Sequence, residues 1–108
     1  MREQRLAKLL EFLEKNPKDD FLNYALAQEY IGMGKDSLAK PILEGLIEHS
    51  PNYIASYYHY GKLLQKEEKN EDAIAIYEKG ITIGKEIDDK HAVKELNDAL
   101  NEVLYDDY

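Results

Sequence analysis

Few residues in this sequence could do bond-breaking chemistry, and each has a plainer use. Asp88, Asp89 and His91 form the densest group of potential metal ligands. Their spacing matches no defined ligand motif, and Asp89 stands where a helix cap is needed. Glu67-Glu68 and Glu71-Asp72 are acidic pairs on a turn and a first helical turn. There they favour the helix dipole, and no partner acid or base stands beside them in the pattern. His49 precedes a Ser-Pro turn, and His91 opens a helix. The sequence has no cysteine, which removes disulfides, thiolate zinc sites and cysteine nucleophiles. It carries no Gly-rich phosphate loop, serine nucleophile motif or His-Glu zinc motif. The inventory predicts a chain that is not an enzyme and uses no metal or cofactor.

What remains are residues suited to holding another molecule. Nine of the eleven aromatics are tyrosines, which suit surfaces where a ring is covered and a hydroxyl stays wet. Lys62 and Lys66 stand four apart on one helical face and are placed to meet a carboxylate. The elements that position these residues follow from a repeat. Sliding the 108-residue sequence by 34 places Pro17 on Pro51, Tyr24 on Tyr58, Lys35 on Lys69, Ala39 on Ala73, Ile42 on Ile76, Glu44 on Glu78 and Ile47 on Ile81. Ala27 falls on Gly61 and Leu43 on Tyr77. The units are residues 20–53 and 54–87.

Each unit reads as two helices. Phe21, Leu22, Ala25, Leu26 and Tyr30 have helical spacing behind a cap at Asp19 or Asp20. Gly32-Met33-Gly34 ends that helix, and Asp36 is expected to cap the next. That helix carries Leu38, Ala39, Ile42, Leu43, Leu46 and Ile47, tolerates Pro41 near its start, and stops before Pro51. In the second unit, Asn52 and Asn70 are the expected caps for helices carrying Tyr57, Tyr60, Gly61 and Leu64, then Ala73, Ile74, Tyr77 and Ile81. Residues 1–19 hold a helix whose Leu9, Phe12 and Leu13 lie 34 before Leu43, Leu46 and Ile47, so it is the second half of a repeat. Residues 88–108 read as a capping helix and tail, with Ala92, Val93, Leu96, Ala99, Leu100 and Val103 on one face.

These residues resemble tetratricopeptide repeats, and small stand-alone bacterial proteins of that family in particular. The places of the pattern W-x2-L-G-x2-Y, A-x3-F and P hold Asn23, Leu26, Ala27, Tyr30, Ala39, Leu43 and Pro51 in the first unit. In the second they hold Tyr57, Tyr60, Gly61, Leu64, Ala73, Tyr77 and Lys85. The Trp place is lost to Asn23 and the final Pro place to Lys85. The resemblance implies an all-α fold of about five helices, a right-handed superhelical stack of antiparallel helix pairs forming one domain. It also implies a surface for a peptide or helical segment of a partner protein, on the concave side lined by the first helix of each repeat. Those places hold Phe21, Tyr24, Gln28 and Ile31, then Tyr58, His59, Lys62, Gln65 and Lys66. Tyr24 and Tyr58 do not occupy packing places of the motif, so gripping a partner is their expected use. The carboxylate clamp that holds chaperone tails in one subtype is not matched, because its places hold Tyr24, Gln28 and His59.

Charge bounds the partners further. The net charge of −8 argues against nucleic acid and against anionic membrane surfaces. The start of the sequence has no apolar leader, and no apolar run approaches the roughly 18 residues of a membrane span, so the expected address is the cytoplasm. Residues 88–108 carry −5 of the total, which reads as a solvating cap rather than a sign of a basic ligand. The alternative reading is a structural module that self-assembles as a homodimer, with Leu6, Leu10, Phe12 and Leu13 of the first helix on a neighbouring copy. The acidic-aromatic tail ending at Tyr108 is a further candidate for docking.

Overall fold

A computed structural model describes residues 2–105. The described residues form six helices and no strand, one helix more than the expected count of about five: α1 (Arg2–Lys15), α2 (Asp20–Gly32), α3 (Asp36–His49), α4 (Ala55–Lys66), α5 (Asn70–Glu86) and α6 (Lys90–Tyr105). The end of the tail candidate, Asp106 to Tyr108, lies outside the described residues. The chain divides into two compact units, one running to Ser50 and the other starting at Pro51.

The turns explain where the helices stop. Gly34, Glu68 and Asp88 all have left-handed backbone, with φ of 75°, 61° and 58°. Gly34 and Glu68 are 34 apart, so the repeat extends to the backbone of the turn. Each closes the same way: Lys35 N–H bonds to Tyr30 O, Lys69 N–H to Leu64 O, and Asp89 N–H to Gly84 O, at 2.8–2.9 Å. These are the six-to-one bonds of a Schellman ending, which satisfy carbonyls a helix end would otherwise leave bare.

The helix starts are less uniform than the sequence suggests. Asp19 caps α2, its carboxylate accepting from Leu22 N–H at 2.8 Å, and Asp89 accepts from Ala92 N–H at 3.0 Å to start α6. Asp36 and Asn70 do not cap. Each is the first helical residue, behind Lys35 and Lys69, which make no side-chain cap bond. Asp36 therefore acts there through its charge on the helix dipole. Asn52 does not cap either, since α4 begins at Ala55 behind Ile54.

In the first unit, α2 packs on both α1 and α3. Leu26, Ala27, Ala39, Leu43, Leu46 and Ile47 are its buried apolar residues, and Leu43 is fully enclosed. Burying one such leucine contributes about 1.5–3 kcal/mol. None of α1 is buried, although it carries four leucines and a phenylalanine. In the second unit, α4, α5 and α6 all pack against one another. Its core holds Tyr57, Leu63, Leu64, Ala73, Tyr77, Ile81, Ala92, Leu96 and Ala99.

One exchange between the units shows how the same plan accepts different residues. A Cβ on Gly61 would lie 2.2 Å from Tyr77 Cε1, so only glycine lets α4 approach that ring. In the first unit the equivalent places hold Ala27 and Leu43, both fully buried. The larger ring comes with the smaller partner, and the volumes compensate. A second exchange concerns the lost aromatic. Tyr57 OH donates to Pro51 O at 2.7 Å. At the equivalent place the Asn23 amide donates to Pro17 O at 3.0 Å and to Asp19 O at 2.9 Å. The short side chain keeps the hydrogen bond to the proline carbonyl and gives up the ring.

Candidate functional site

The expected partner-binding residues fall into two groups, one in each unit. In the first unit, Phe21, Tyr24 and Gln28 come together on α2 and line a groove of about 460 Å³. Ile31 is half-buried one turn further on and is not part of that lining. The opposite wall comes from α1: Arg5, Lys8, Leu9 and Phe12. The surface is mainly apolar, with Phe21 63% and Phe12 47% exposed.

The residues expected in the site supply the α2 wall; of the α1 wall, Phe12 is expected from the sequence only as part of a self-association face, and Arg5, Lys8 and Leu9 are not expected at all. The signal was present, because Leu9 and Phe12 stand in register with Leu43 and Leu46. Those two are buried in α3, whereas on α1 Leu9 is half-buried and Phe12 is exposed. Ion pairs hold α1 in place. Arg2 Nη1 and Arg5 Nε reach the two oxygens of Glu29 at 3.2 and 3.0 Å. The Arg2 guanidinium also lies against the open backbone of Gly32. Glu29 is thereby committed, and Lys8 makes no ion pair among the described residues.

In the second unit, Tyr58, His59 and Lys62 form one connected cluster. The Tyr58 and His59 rings meet edge to face at 5.2 Å, and Lys62 Nζ stands 5.4 Å from the Tyr58 ring centre. Lys62 also pairs with Glu102 of α6 at 3.2 Å. It is thus held over the tyrosine ring and already has a carboxylate. Burial holds the His59 imidazole below the usual histidine range, partly offset by Glu95. Gln65 accepts a hydrogen bond from the Tyr77 hydroxyl, which ties it to the core. Burial, with smaller contributions from Tyr58 and Glu102, raises the Tyr77 phenol well above its ordinary range. Lys66 is exposed at the end of α4.

A larger cleft, about 580 Å³, lies between α2 and α3. Pro17, Asn23, Pro41, Ile42, Gly45, Leu46 and His49 are among its walls. It opens where Asn23 replaces an aromatic ring and where Gly45 adds no side chain. Its polar members are partly spent on structure, since Ser50 Oγ donates to Asp20 at 2.6 Å. No group of three or more metal-ligating side chains comes together among the described residues. No helix there is long and apolar enough to cross a membrane.

Comparison with known proteins settles the family. The tetratricopeptide repeat model matches residues 54–84. A crystal structure of a tetratricopeptide repeat domain protein from Salinibacter ruber is 37% identical, covering 80% of this chain and 96% of that one, with a TM-score of 0.78. The chain belongs to the tetratricopeptide repeat family. A solution structure of such a domain protein from Salinibacter ruber agrees, at 38% identity and TM-score 0.77, covering 81% of this chain and 88% of that one. A protein from Bordetella parapertussis shares the fold, with TM-score 0.81 over 94% of this chain and 89% of that one, at 24% identity. No curated protein matches. The fold is thus an all-α tetratricopeptide repeat solenoid. Tetratricopeptide repeats in general mediate protein–protein interaction and are not catalytic.

Proposed function

We propose that this tetratricopeptide repeat protein binds a segment of a partner protein through the exposed faces of α2 and α4, the first helices of its two repeats. The observation that carries the reading is the recurrence of half-buried Tyr24 and Tyr58 at one repeat place, each beside further ring or basic groups. A half-covered tyrosine buries large area on binding at small entropy cost, which is why such residues dominate interfaces. Phe21 and Gln28 extend the α2 face; His59, Lys62, Gln65 and Lys66 extend the α4 face. With Lys62 already paired, this face favours an apolar or mixed ligand over a strongly acidic tail.

The test is capture from the native extract by the whole chain and by a Tyr24→Ala, Tyr58→Ala variant. A partner retained reproducibly by the first and lost by the second, with equal thermal stability of the two, supports the reading. Equal retention by both, or no reproducible partner, removes it.

A further inference from the structure

The second unit contains a template for what fits the groove of the first. There α4 packs on α5 and α6 together, and the three meet at a defined point. A Cβ on Gly80 of α5 would lie 2.7 Å from Tyr57 Cβ of α4 and 3.0 Å from Leu96 Cδ1 of α6. Two repeats earlier, 68 residues back, Tyr77, Gly80 and Leu96 become Leu9, Phe12 and Gln28. These three residues line the α1/α2 groove. The pair α1 and α2 therefore presents the surface on which α4 sits in the other unit, and the groove takes the place of the third helix.

The walls specify the helix that would lie there. Leu9 stands where Tyr77 forces glycine at Gly61, and a leucine at that place accepts alanine, as Leu43 does with Ala27. Phe12 stands where Gly80 admits Tyr57, so the incoming helix needs a smaller residue than tyrosine there. Lys8 at the rim has no carboxylate, and Arg5 beside it is 59% exposed in its side chain. Arg5 is already bound to Glu29, which also lines the groove, so the Lys8 charge is the one that favours acid on the incoming helix.

We infer that the α1/α2 groove receives an acidic amphipathic helix of a partner protein, which completes the repeat to which α1 belongs. The inference rests on the partner-binding reading and specifies the ligand of its α2 half. The self-assembling alternatives fit less well. The face of α6 that would have to enter the groove carries Lys94 paired with Asp98 and His91 beside Glu95 at 3.6 Å. Two grooves face to face would bring the Lys8 charges of both copies together.

A probe exists in the chain itself. A synthetic peptide of residues 19–33 has the sequence of α2 with its cap, carries three acidic and no basic side chains, and has alanine at the required place. Its fluorescence anisotropy, titrated with the whole protein, should show saturable binding that a scrambled peptide lacks. Phe12→Ala and Lys8→Glu should each weaken it at least tenfold, whereas Tyr58→Ala should change it less than twofold. Both altered side chains are on the surface, and melting curves verify that the variants fold. Absence of saturable binding, or binding indifferent to Phe12→Ala and Lys8→Glu, overturns the inference. Binding weakened only by Tyr58→Ala overturns it too, while leaving the α2 and α4 reading in place. Self-association of the protein alone, seen by sedimentation and abolished by Phe12→Ala, would replace the partner helix with a second copy.

Discussion

The compensation between Gly61 and Tyr77 yields a prediction with a definite size. A methyl group at Gly61 would meet three atoms of the Tyr77 ring at 2.2, 2.6 and 2.8 Å. Carbon atoms in contact prefer about 3.5–4.0 Å. The ring cannot move aside easily, because Tyr77 is fully buried and its hydroxyl is bound to Gln65. Overpacking of this kind costs about 1–3 kcal/mol. Alanine in a helix regains about 1 kcal/mol over glycine. Gly61→Ala should therefore destabilise by up to about 2 kcal/mol net, with a loss of roughly 4–8 °C in melting temperature per kcal/mol. Tyr77→Leu alone removes ring contacts and a hydrogen bond, at about 2–4 kcal/mol. If the two acted independently the losses would add. Combined, they reproduce the Ala27–Leu43 pair of the first unit, and the added methyl faces a shorter side chain. The double variant should be no less stable than Tyr77→Leu, which makes the coupling about 1–3 kcal/mol in favour of the pair. Urea unfolding of the four proteins measures it. Additive losses within about 0.5 kcal/mol would refute the argument that volume exchange joins these places.

Other expectations follow from single features. Glu68→Gly relieves a left-handed residue and should stabilise by about 0.5–1 kcal/mol, while Gly34→Ala, at the same repeat place with nothing near its Cβ, should destabilise by about 1 kcal/mol; thermal melts read both. Asp89→Ala removes the acceptor for Ala92 N–H and should cost about 1 kcal/mol in urea unfolding. His59 is held below the ordinary histidine range when folded, so the unfolded chain binds more protons below about pH 6.5. Its contribution to stability is full above that pH and is lost as pH falls toward the depressed folded value. Comparing urea midpoints at pH 7.5 and 5.5, His59→Gln should lose less stability than the parent on acidification; an equal loss would assign the dependence to other groups.

How much of this was legible in the sequence depends on what each residue must satisfy. The 34-residue register predicted the helix pairs, the turn at Gly34 and the buried places, because packing volumes recur with the repeat. Caps were less legible. Asp19, Asp36, Asn52 and Asn70 are all good capping residues by type, yet only Asp19 caps. Whether a side chain bends back to the first amides depends on its own backbone angles, which composition does not reveal. The α4 face was legible in position but not in state, since the Lys62–Glu102 pair joins residues 40 apart and off the repeat. The α1 wall was legible only as a face for another copy, not as one side of the α2 groove, for a different reason. Leu9 and Phe12 matched core positions, and a match to a core position says what a residue would pack against, not whether that neighbour is there.

That distinction separates the first and last helices. Both carry one apolar face against the rest of their unit, but their remaining surfaces differ in kind. On α6 the remaining surface is ionic along most of the helix, with Lys94 held 2.9 Å from Asp98 and its charge favoured by that bond, and apolar groups stand open at its end, at Leu104 and Tyr105. Such exposed pairs contribute little stability, but they make the surface costly to dehydrate. On α1, Leu10 is 44% exposed and Phe12 stands open at the groove, so covering them releases water from apolar area instead. A partner covering the middle of α6 would have to cover charges that are already satisfied, while one covering Phe12 on α1 gains burial of an apolar side chain. Replacing Lys94 and Asp98 together by leucine should create an adhesive surface on α6, detectable as stronger concentration-dependent sedimentation than that of the parent chain.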